Sequence, residues 1–308
     1  MKIGVVDLDT SHPQSFLPLL RARGHEVVGV WDEGIVHPRG YAEEFAKRNG
    51  ISKVFFSLEE MADHVDLAML HCCNWDTHIA KALPFLERNR SVFIDKPLSG
   101  NTGDLATIAE WINRGCRISG GSSLLYCQEA REFKASRSEA QGKLHTVFCG
   151  CGVDLFNYGI HAFALASALA NAPIASVRVL SSVFQQDSVE LIHADQTRSL
   201  LQIGDSEEWL PFYATLVTTR QVTHFNIAID RIYANALDET LPYLEGTTNF
   251  PPLSIDAWLQ PERCALAALL SKKLSGRSIS ILDTRLDQVF YDGAAFARGY
   301  RDARYPQR

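Results

Sequence analysis

Residues 66–98 read DLAMLHCCNWDTHIAKALPFLERNRSVFIDKPL, and their rhythm decides the architecture. Leu67 to Cys73 is a continuous apolar run, His78 to Arg88 has the apolar spacing of a helix, and Ser91 to Ile94 is a second short apolar run. Strands apolar on both faces and joined by a helix belong to a parallel sheet covered by helices on both sides. The alternation extends upstream. Lys2 to Leu8 reads as a strand, Pro13 to Arg23 as a helix stopped by Gly24, and His25 to Trp31 as a strand ending on Asp32. Tyr41 to Asn49 reads as a helix closed by Gly50, and Val54 to Phe56 as a short strand. Ser57 followed by Glu60 has the pattern of a capping box. Downstream, a helix over Thr102 to Arg114 leads to a strand near Arg117 and Ile118.

After Gly120-Gly121 the rhythm changes. A helix from Tyr126 to Ala140, a strand from Lys143 to Gly150 and a long helix from Leu155 to Ala170 precede a series of strand-like runs. These are Val177 to Phe184, Val189 to His193, Ser199 to Ile203, Phe212 to Thr218 and Thr223 to Ile229. Cys264 to Leu274 and Asp287 to Tyr300 read as closing helices. The expected fold is therefore α/β: a doubly wound parallel sheet over 1–120, then an α+β domain with a mixed or antiparallel sheet over 121–308.

Composition agrees with this reading. At 308 residues, with 46% hydrophobic and 21% charged residues, the chain has the usage of two ordinary globular domains. Thirty Lys plus Arg against 36 Asp plus Glu leave a net charge of -6, so no basic footprint marks a nucleic-acid or anionic-membrane partner. No apolar run reaches the length of a membrane span, and MKIGVVDLDTSH lacks the pattern of a secretory signal. Seven cysteines without a CxxC pair suggest buried thiols in a reducing compartment rather than a zinc site; the expected location is the cytoplasm.

In sheets of this kind ligands sit at the carboxyl ends of the strands. The residues there are Asp7 to His12, Asp32, Asn74 to His78, and Asp95 to Pro97. A dinucleotide fingerprint G-x-G-x-x-G after the first strand would place glycines at positions 7, 9 and 12, where this chain has Asp7, Asp9 and His12. Asp9, Thr10, Ser11 and His12 are the substitutes: two hydroxyl donors and an imidazole in place of backbone N–H groups, with carboxylates that repel phosphate. Asp32, an acid at the end of the second strand, is placed to accept ribose hydroxyls and to favour NAD over NADP. Asp7, Asp9, His12, His71, Asp76 and His78 also raise a divalent-ion reading. They carry no compact ligand signature such as HExxH, and no metal ligand is assigned.

Asp95-Lys96-Pro97-Leu98 after SVFI resembles the Glu-Lys-Pro segment of the glucose–fructose oxidoreductase, inositol dehydrogenase and MocA family. The preceding segment, with Asn74 and His78, resembles that family's Asn- and His-bearing strand and loop. GVDLFNYGIHAFALASAL, with Gly159 and His161, resembles its glycine–histidine helix start. The resemblance implies a Rossmann domain and a mixed-sheet domain with NAD or NADP between them. It also implies hydride transfer at a secondary alcohol of a sugar, cyclitol or related polyol, and association into homo-oligomers. Lys96 and His161 then flank the reacting carbinol, and Asn74, His78, Lys96 and Pro97 lie against the cofactor. Where the family has acids four residues before and three after the histidine, this chain has Asn157 and Ala164. Asp154 and Tyr158 are the alternative polar partners for His161.

The expected activity is thus NAD(P)-dependent oxidation of a small polar substrate. The alternatives are a redox-inactive ligand-binding or regulatory homologue and a metal-assisted non-redox enzyme. Trp209, Tyr213, Arg220 and His224 are candidates for the substrate-facing side of the second sheet, but strand register decides which face each takes.

Overall fold

The computed structural model describes residues 1–136, 139–205 and 210–306. Two compact units emerge. One comprises Met1–Gly121, Leu237–Pro252 and the segment from Asp292 onward; the other comprises Ser122–Ala236 and Leu253–Tyr291. The change near Gly120-Gly121 thus falls at a unit border, and two later segments return to the first unit.

In the first unit β1 (Lys2–Val6), β2 (Glu26–Trp31), β3 (Lys53–Val54), β4 (Leu67–Leu70), β5 (Ser91–Asp95) and β6 (Ile118–Gly121) form one sheet in the order β3-β2-β1-β4-β5-β6. Every pairing is parallel. The intervening helices are α1 (His12–Ala22), α2 (Tyr41–Asn49), α3 (Leu58–Ala62), α4 (His78–Leu86) and α5 (Thr102–Asn113). Strand order reverses between β1 and β4, which places the switch point at the loops after those strands. β4 and β5 are buried along their whole length, as their unbroken apolar character requires. Phe16, Leu67, Met69, Phe85, Phe93 and Ile94 are all fully buried in this core. Burying each contributes about 1.5–3 kcal/mol. Ser57 caps α3 as expected, accepting the Glu60 N–H at 3.1 Å. Gly120 sits at φ 122°, and a Cβ there would lie 2.1 Å from the Ile94 carbonyl oxygen, so only glycine lets β6 approach β5 at this level.

In the second unit α6 (Gln128–Ser136), β7 (Leu144–Gly152) and α7 (Gly159–Leu169) are followed by five more strands: β8 (Ile174–Val183), β9 (Gln186–His193), β10 (Arg198–Gly204), β11 (Tyr213–Thr218) and β12 (Val222–Asn226). Then come α8 (Ile232–Leu244), which belongs to the first unit from Leu237 on, α9 (Ile255–Lys273) and β13 (Ile279–Ser280) of the second unit, and α10 (Gly293–Arg304) of the first. The sheet order is β12-β11-β7-β10-β9-β8-β13, with β7 and β10 parallel and the remaining pairs antiparallel. It is a mixed sheet.

Several element boundaries differ from the sequence reading, each for a local reason. β4 stops at Leu70, so Cys72 and Cys73 lie in the loop beyond it; all seven cysteines are free thiols. The 126–140 region begins with a 3-10 turn over Ser123–Tyr126, and residues 137 and 138 lie outside the described residues. α7 starts at Gly159 rather than Leu155, because the Asp154 carboxylate captures the N–H groups of Phe156 at 2.8 Å and Tyr158 at 3.4 Å. The β8–β9 turn is Phe184-Gln185, both at positive φ as a tight two-residue hairpin demands. α8 was not foreseen, although Ile232, Ala236, Leu237 and Leu241 are its buried stripe. α9 begins nine residues before Cys264 (264 − 255), capped by Ser254 and running through Pro261. The last helix starts at Gly293, not Asp287; Thr284–Gln288 is a separate 3-10 turn.

Candidate active site

The turn after β1 carries Asp7, Asp9 and His12 at the positions where a glycine fingerprint would stand. Asp7 stands at φ 61°, the left-handed conformation that the first glycine of the fingerprint serves. Aspartate tolerates it because its short carboxylate bonds locally. Here Oδ1 accepts the Glu33 N–H at 3.0 Å, and Oδ2 meets Lys81 Nζ at 2.6 Å. Lys81, three residues after His78 on the buried face of α4, also meets Glu33 Oε2 at 2.7 Å. Burial works to lower its pKa, yet the surrounding anionic groups, Asp7 and Glu33 included, hold it above the ordinary lysine range. The charge of Asp7 is therefore answered inside the protein.

Asp9 is 1% exposed; its Oδ2 accepts the Cys73 N–H at 2.9 Å, while Oδ1 is buried without a hydrogen-bond partner among the described residues. One oxygen from each of Asp7, Asp9 and Asp32 lies within 4.8 Å of the others. Burial first, and Asp7 second, push Asp9 up to about 7 and Asp32 up to about 6. Near neutral pH Asp9 is thus only about half ionised, which makes the loop somewhat less anionic than its sequence suggests. A carboxyl whose folded pKa is raised binds its proton more tightly in the native state. The contribution of Asp9 to stability is therefore greatest at low pH and is lost as pH rises from about 4 to about 7. Asp9→Asn keeps an acceptor for Cys73 and supplies a donor in place of the unpartnered oxygen. We expect it to raise Tm by roughly 3–6 °C at pH 8 and to change it little at pH 5. Thermal melts at the two pH values check this; an equal shift at both would show that Asp9 is ionised throughout.

At the start of α1, Thr10 Oγ1 accepts the His12 N–H at 3.2 Å, and Pro13 has no N–H to offer. The Ser11 side chain makes no cap bond, so its hydroxyl and that of Thr10 are the donors this helix start presents. His12 turns the other way. Its Nδ1 lies 2.6 Å from Asp95 Oδ2, and His71 Nδ1 lies 2.7 Å from the same oxygen. Asp95 Oδ1 accepts the Lys96 N–H at 2.7 Å. One buried carboxylate thus ties together the residues that follow β1, β4 and β5. Burial opposes its ionisation, but His12 and His71 hold it well below the usual carboxylate range. His71 Nε2 is buried without a partner, packed between the rings of Phe16 and Phe93.

The remaining first-unit residues serve the scaffold. Asn74 caps its own turn, accepting the Asp76 N–H at 3.3 Å. Asp76 accepts the Gly293 and Ala294 N–H groups at 2.9 and 3.1 Å, anchoring α10. His78 is fully buried, its ring nitrogens 3.0 and 3.2 Å from the carbonyl oxygens of Leu98 and Cys72, and burial lowers its pKa. His78 therefore braces the loop after β4 against the turn after β5, and neither it nor Asp76 joins the acidic group. Lys96 is half-buried at the end of β5, followed by Pro97 across a cis peptide.

In the second unit His161 occupies the first turn of α7 and is 7% exposed. Its Nδ1 lies 2.8 Å from Ser122 Oγ, and its ring packs 5.8 Å from Tyr158 and 5.0 Å from Phe212. Asp154 is spent on capping, so the hydrogen-bond partner found at Nδ1 is a serine 39 residues upstream, which no spacing rule singles out. Lys81 was equally unmarked, although its helical register with His78 is the signal that could have found it. Tyr213 is half-buried opposite Gly150, and His224 Nδ1 meets Thr215 Oγ1 at 2.8 Å. Arg220 lies in the β11–β12 turn, and Trp209 is outside the described residues.

Comparison with known proteins follows the same division. Residues 1–118 match the model of the Gfo/Idh/MocA group, described as an oxidoreductase family with an NAD-binding Rossmann fold. No curated protein sequence matches the chain. Among solved structures the fold is similar to that of a protein described as a probable dehydrogenase from Thermotoga maritima, at 14% identity and TM-score 0.79, covering 91% of this chain and 99% of that one. It is also similar to a myo-inositol dehydrogenase from Lactobacillus casei in complex with NAD(H) and myo-inositol, at 14% identity and TM-score 0.76, covering 92% and 97%. A third is GenD2 from gentamicin A biosynthesis in complex with NAD, at 16% identity and TM-score 0.75, covering 91% and 96%. At these identities the likeness is one of fold. Among the described residues no helix is long and apolar enough to cross a membrane. A parallel sheet with its switch point beside Asp7 and a lysine–proline turn after β5 accompany the match of residues 1–118 to the Gfo/Idh/MocA model, so this part of the chain is similar to that family's NAD-binding Rossmann fold.

Proposed function

We propose that the protein is an NAD-dependent oxidoreductase acting at a secondary alcohol, or the matching ketone, of a small polyhydroxylated substrate of the sugar or cyclitol class. The observation that carries this reading is Lys96, held half-buried at the carboxyl end of β5 by the bond of its N–H to Asp95. The dehydrogenases of similar fold, one of them in complex with myo-inositol, support the substrate class.

The first unit fits a dinucleotide by a modified route. The left-handed turn at Asp7 leaves the strand in the required direction, and Lys81 neutralises its charge. Thr10 and Ser11 hydroxyls donate to phosphate where glycine N–H groups usually do. Asp32 accepts from the adenosine ribose hydroxyls. When bound, the nicotinamide supplies or takes up a hydride. Lys96 supplies the positive charge that stabilises a developing alkoxide, and as the free amine it takes the alcohol proton. In the second unit, His161 is the polar candidate for substrate contact.

Titration with NADH and NADPH, followed by nicotinamide fluorescence, tests the reading. We expect NADH to bind at least tenfold more tightly, with the preference lost in Asp32→Ala. Affinity is also expected to be higher at pH 6 than at pH 8, because Asp9 sheds its proton through about 7 and then repels phosphate. Failure of both dinucleotides to bind at millimolar concentration would overturn the proposal. It would favour instead a ligand-binding homologue, for which the carboxylates of Asp7, Asp9 and Asp32 are the specific argument.

A further inference from the structure

We infer that Ser122 is a positioning residue that fixes His161 as the neutral Nε2–H tautomer, making the imidazole a hydrogen-bond donor rather than a base. Ser122 is 1% exposed, and its Oγ receives the Leu124 N–H at 3.3 Å. Its hydroxyl proton needs an acceptor, because an unpartnered buried hydroxyl costs about 1–3 kcal/mol. Among the described residues the acceptor found is His161 Nδ1, 2.8 Å away. A nitrogen that accepts this proton carries a lone pair, so the single ring proton of a neutral imidazole resides on Nε2.

The consequence is a division of labour. A carboxylate at Nδ1 would accept a hydrogen bond from Nδ1–H, leave the Nε2 lone pair bare and stabilise the imidazolium; such a histidine is a base. The carboxylate at hand, Asp154, is turned away by its bonds to Phe156 and Tyr158, and position 157 holds an amide. A hydroxyl stabilises the imidazolium far less. With its proton on Nε2, His161 is a neutral donor, a form in which an imidazole polarises a carbonyl or stabilises an alkoxide without exchanging a proton with it. Resting on the oxidoreductase reading, this denies His161 the role of proton acceptor.

Ring nitrogen spectroscopy on the uniformly 15N-labelled protein, without dinucleotide or substrate, tests the tautomer directly, with His161→Gln identifying the His161 signals by their loss. The expected result is a pyridine-type Nδ1 and a pyrrole-type Nε2. A pyrrole-type Nδ1, or an imidazolium at pH 7, would overturn the inference whatever the protein turns out to bind. In turnover assays, Ser122→Ala is expected to lower kcat on the order of tenfold with KM nearly unchanged, and Ser122→Thr, which restores the hydroxyl, to recover most of that loss. Equal losses in both variants, with the wild-type ring signals retained in each, would show that Ser122 merely packs. Absence of dinucleotide binding would sink the enzymatic reading and leave the ring measurement intact.

Discussion

Lys81→Met is expected to cost about 3–5 kcal/mol of stability, the largest single loss in the first unit. The substitution preserves the volume of the side chain and removes its charge. Asp7 would then be left 1% exposed, in the left-handed conformation, beside Asp9 and Asp32 and without a counter-ion. Such a carboxylate either stays ionised at high cost or takes up a proton, so the loss should be greatest at high pH and smaller near pH 5. The double variant Lys81→Met/Asp7→Asn removes both charges and is expected to recover at least half of the loss, a coupling that urea melts resolve readily. Additive losses would show that Lys81 contributes through packing along Trp31, whose ring lies 5.5 Å from its Nζ, and not through charge.

The second large effect concerns chemistry rather than stability. Lys96→Ala should lower kcat by roughly 10²–10⁴ while changing NADH affinity less than about threefold, because in the proposed function the removed group acts on the substrate oxygen while the backbone N–H still bonds Asp95. Lys96→Arg, which keeps a cation but cannot act as a base near neutral pH, should remain nearly as impaired. Loss of dinucleotide binding in either variant would move Lys96 from the reacting end to the cofactor.

Much of the first unit is legible in the sequence because its signals are local. Buried parallel strands need unbroken apolar runs, as in LAML and SVFI, and a helix between them needs its own period. The Ser57–Glu60 cap likewise lies within one turn. Legibility fails where the deciding contact is distant in sequence or where a breaker hides a helix. Pro261 and Pro242 obscured α9 and α8, which tolerate an internal proline because long buried faces hold them. For the site, the positions of Lys96 and His161 were readable as motif matches, but their surroundings were not. Asp95 could be seen as a shortened glutamate, yet that it gathers His12 and His71 depends on three strand ends meeting at the switch point. The acidic loop was read as repulsive because a sequence shows formal charge, whereas burial and Lys81 decide which carboxyls keep it.

That gathering carries a lesson for anyone wishing to convert this chain into an ordinary dinucleotide-binding protein. Writing glycine back at positions 7, 9 and 12 would strip Lys81 of a buried partner, Cys73 of its acceptor and Asp95 of one of its two imidazoles at a stroke. The loop, the middle of α4 and the end of β5 are one interlocked device. Its members are coupled in matched pairs, Asp7 with Lys81 and His12 with Asp95, so a redesign that restores the glycine loop has to replace both partners of each pair together.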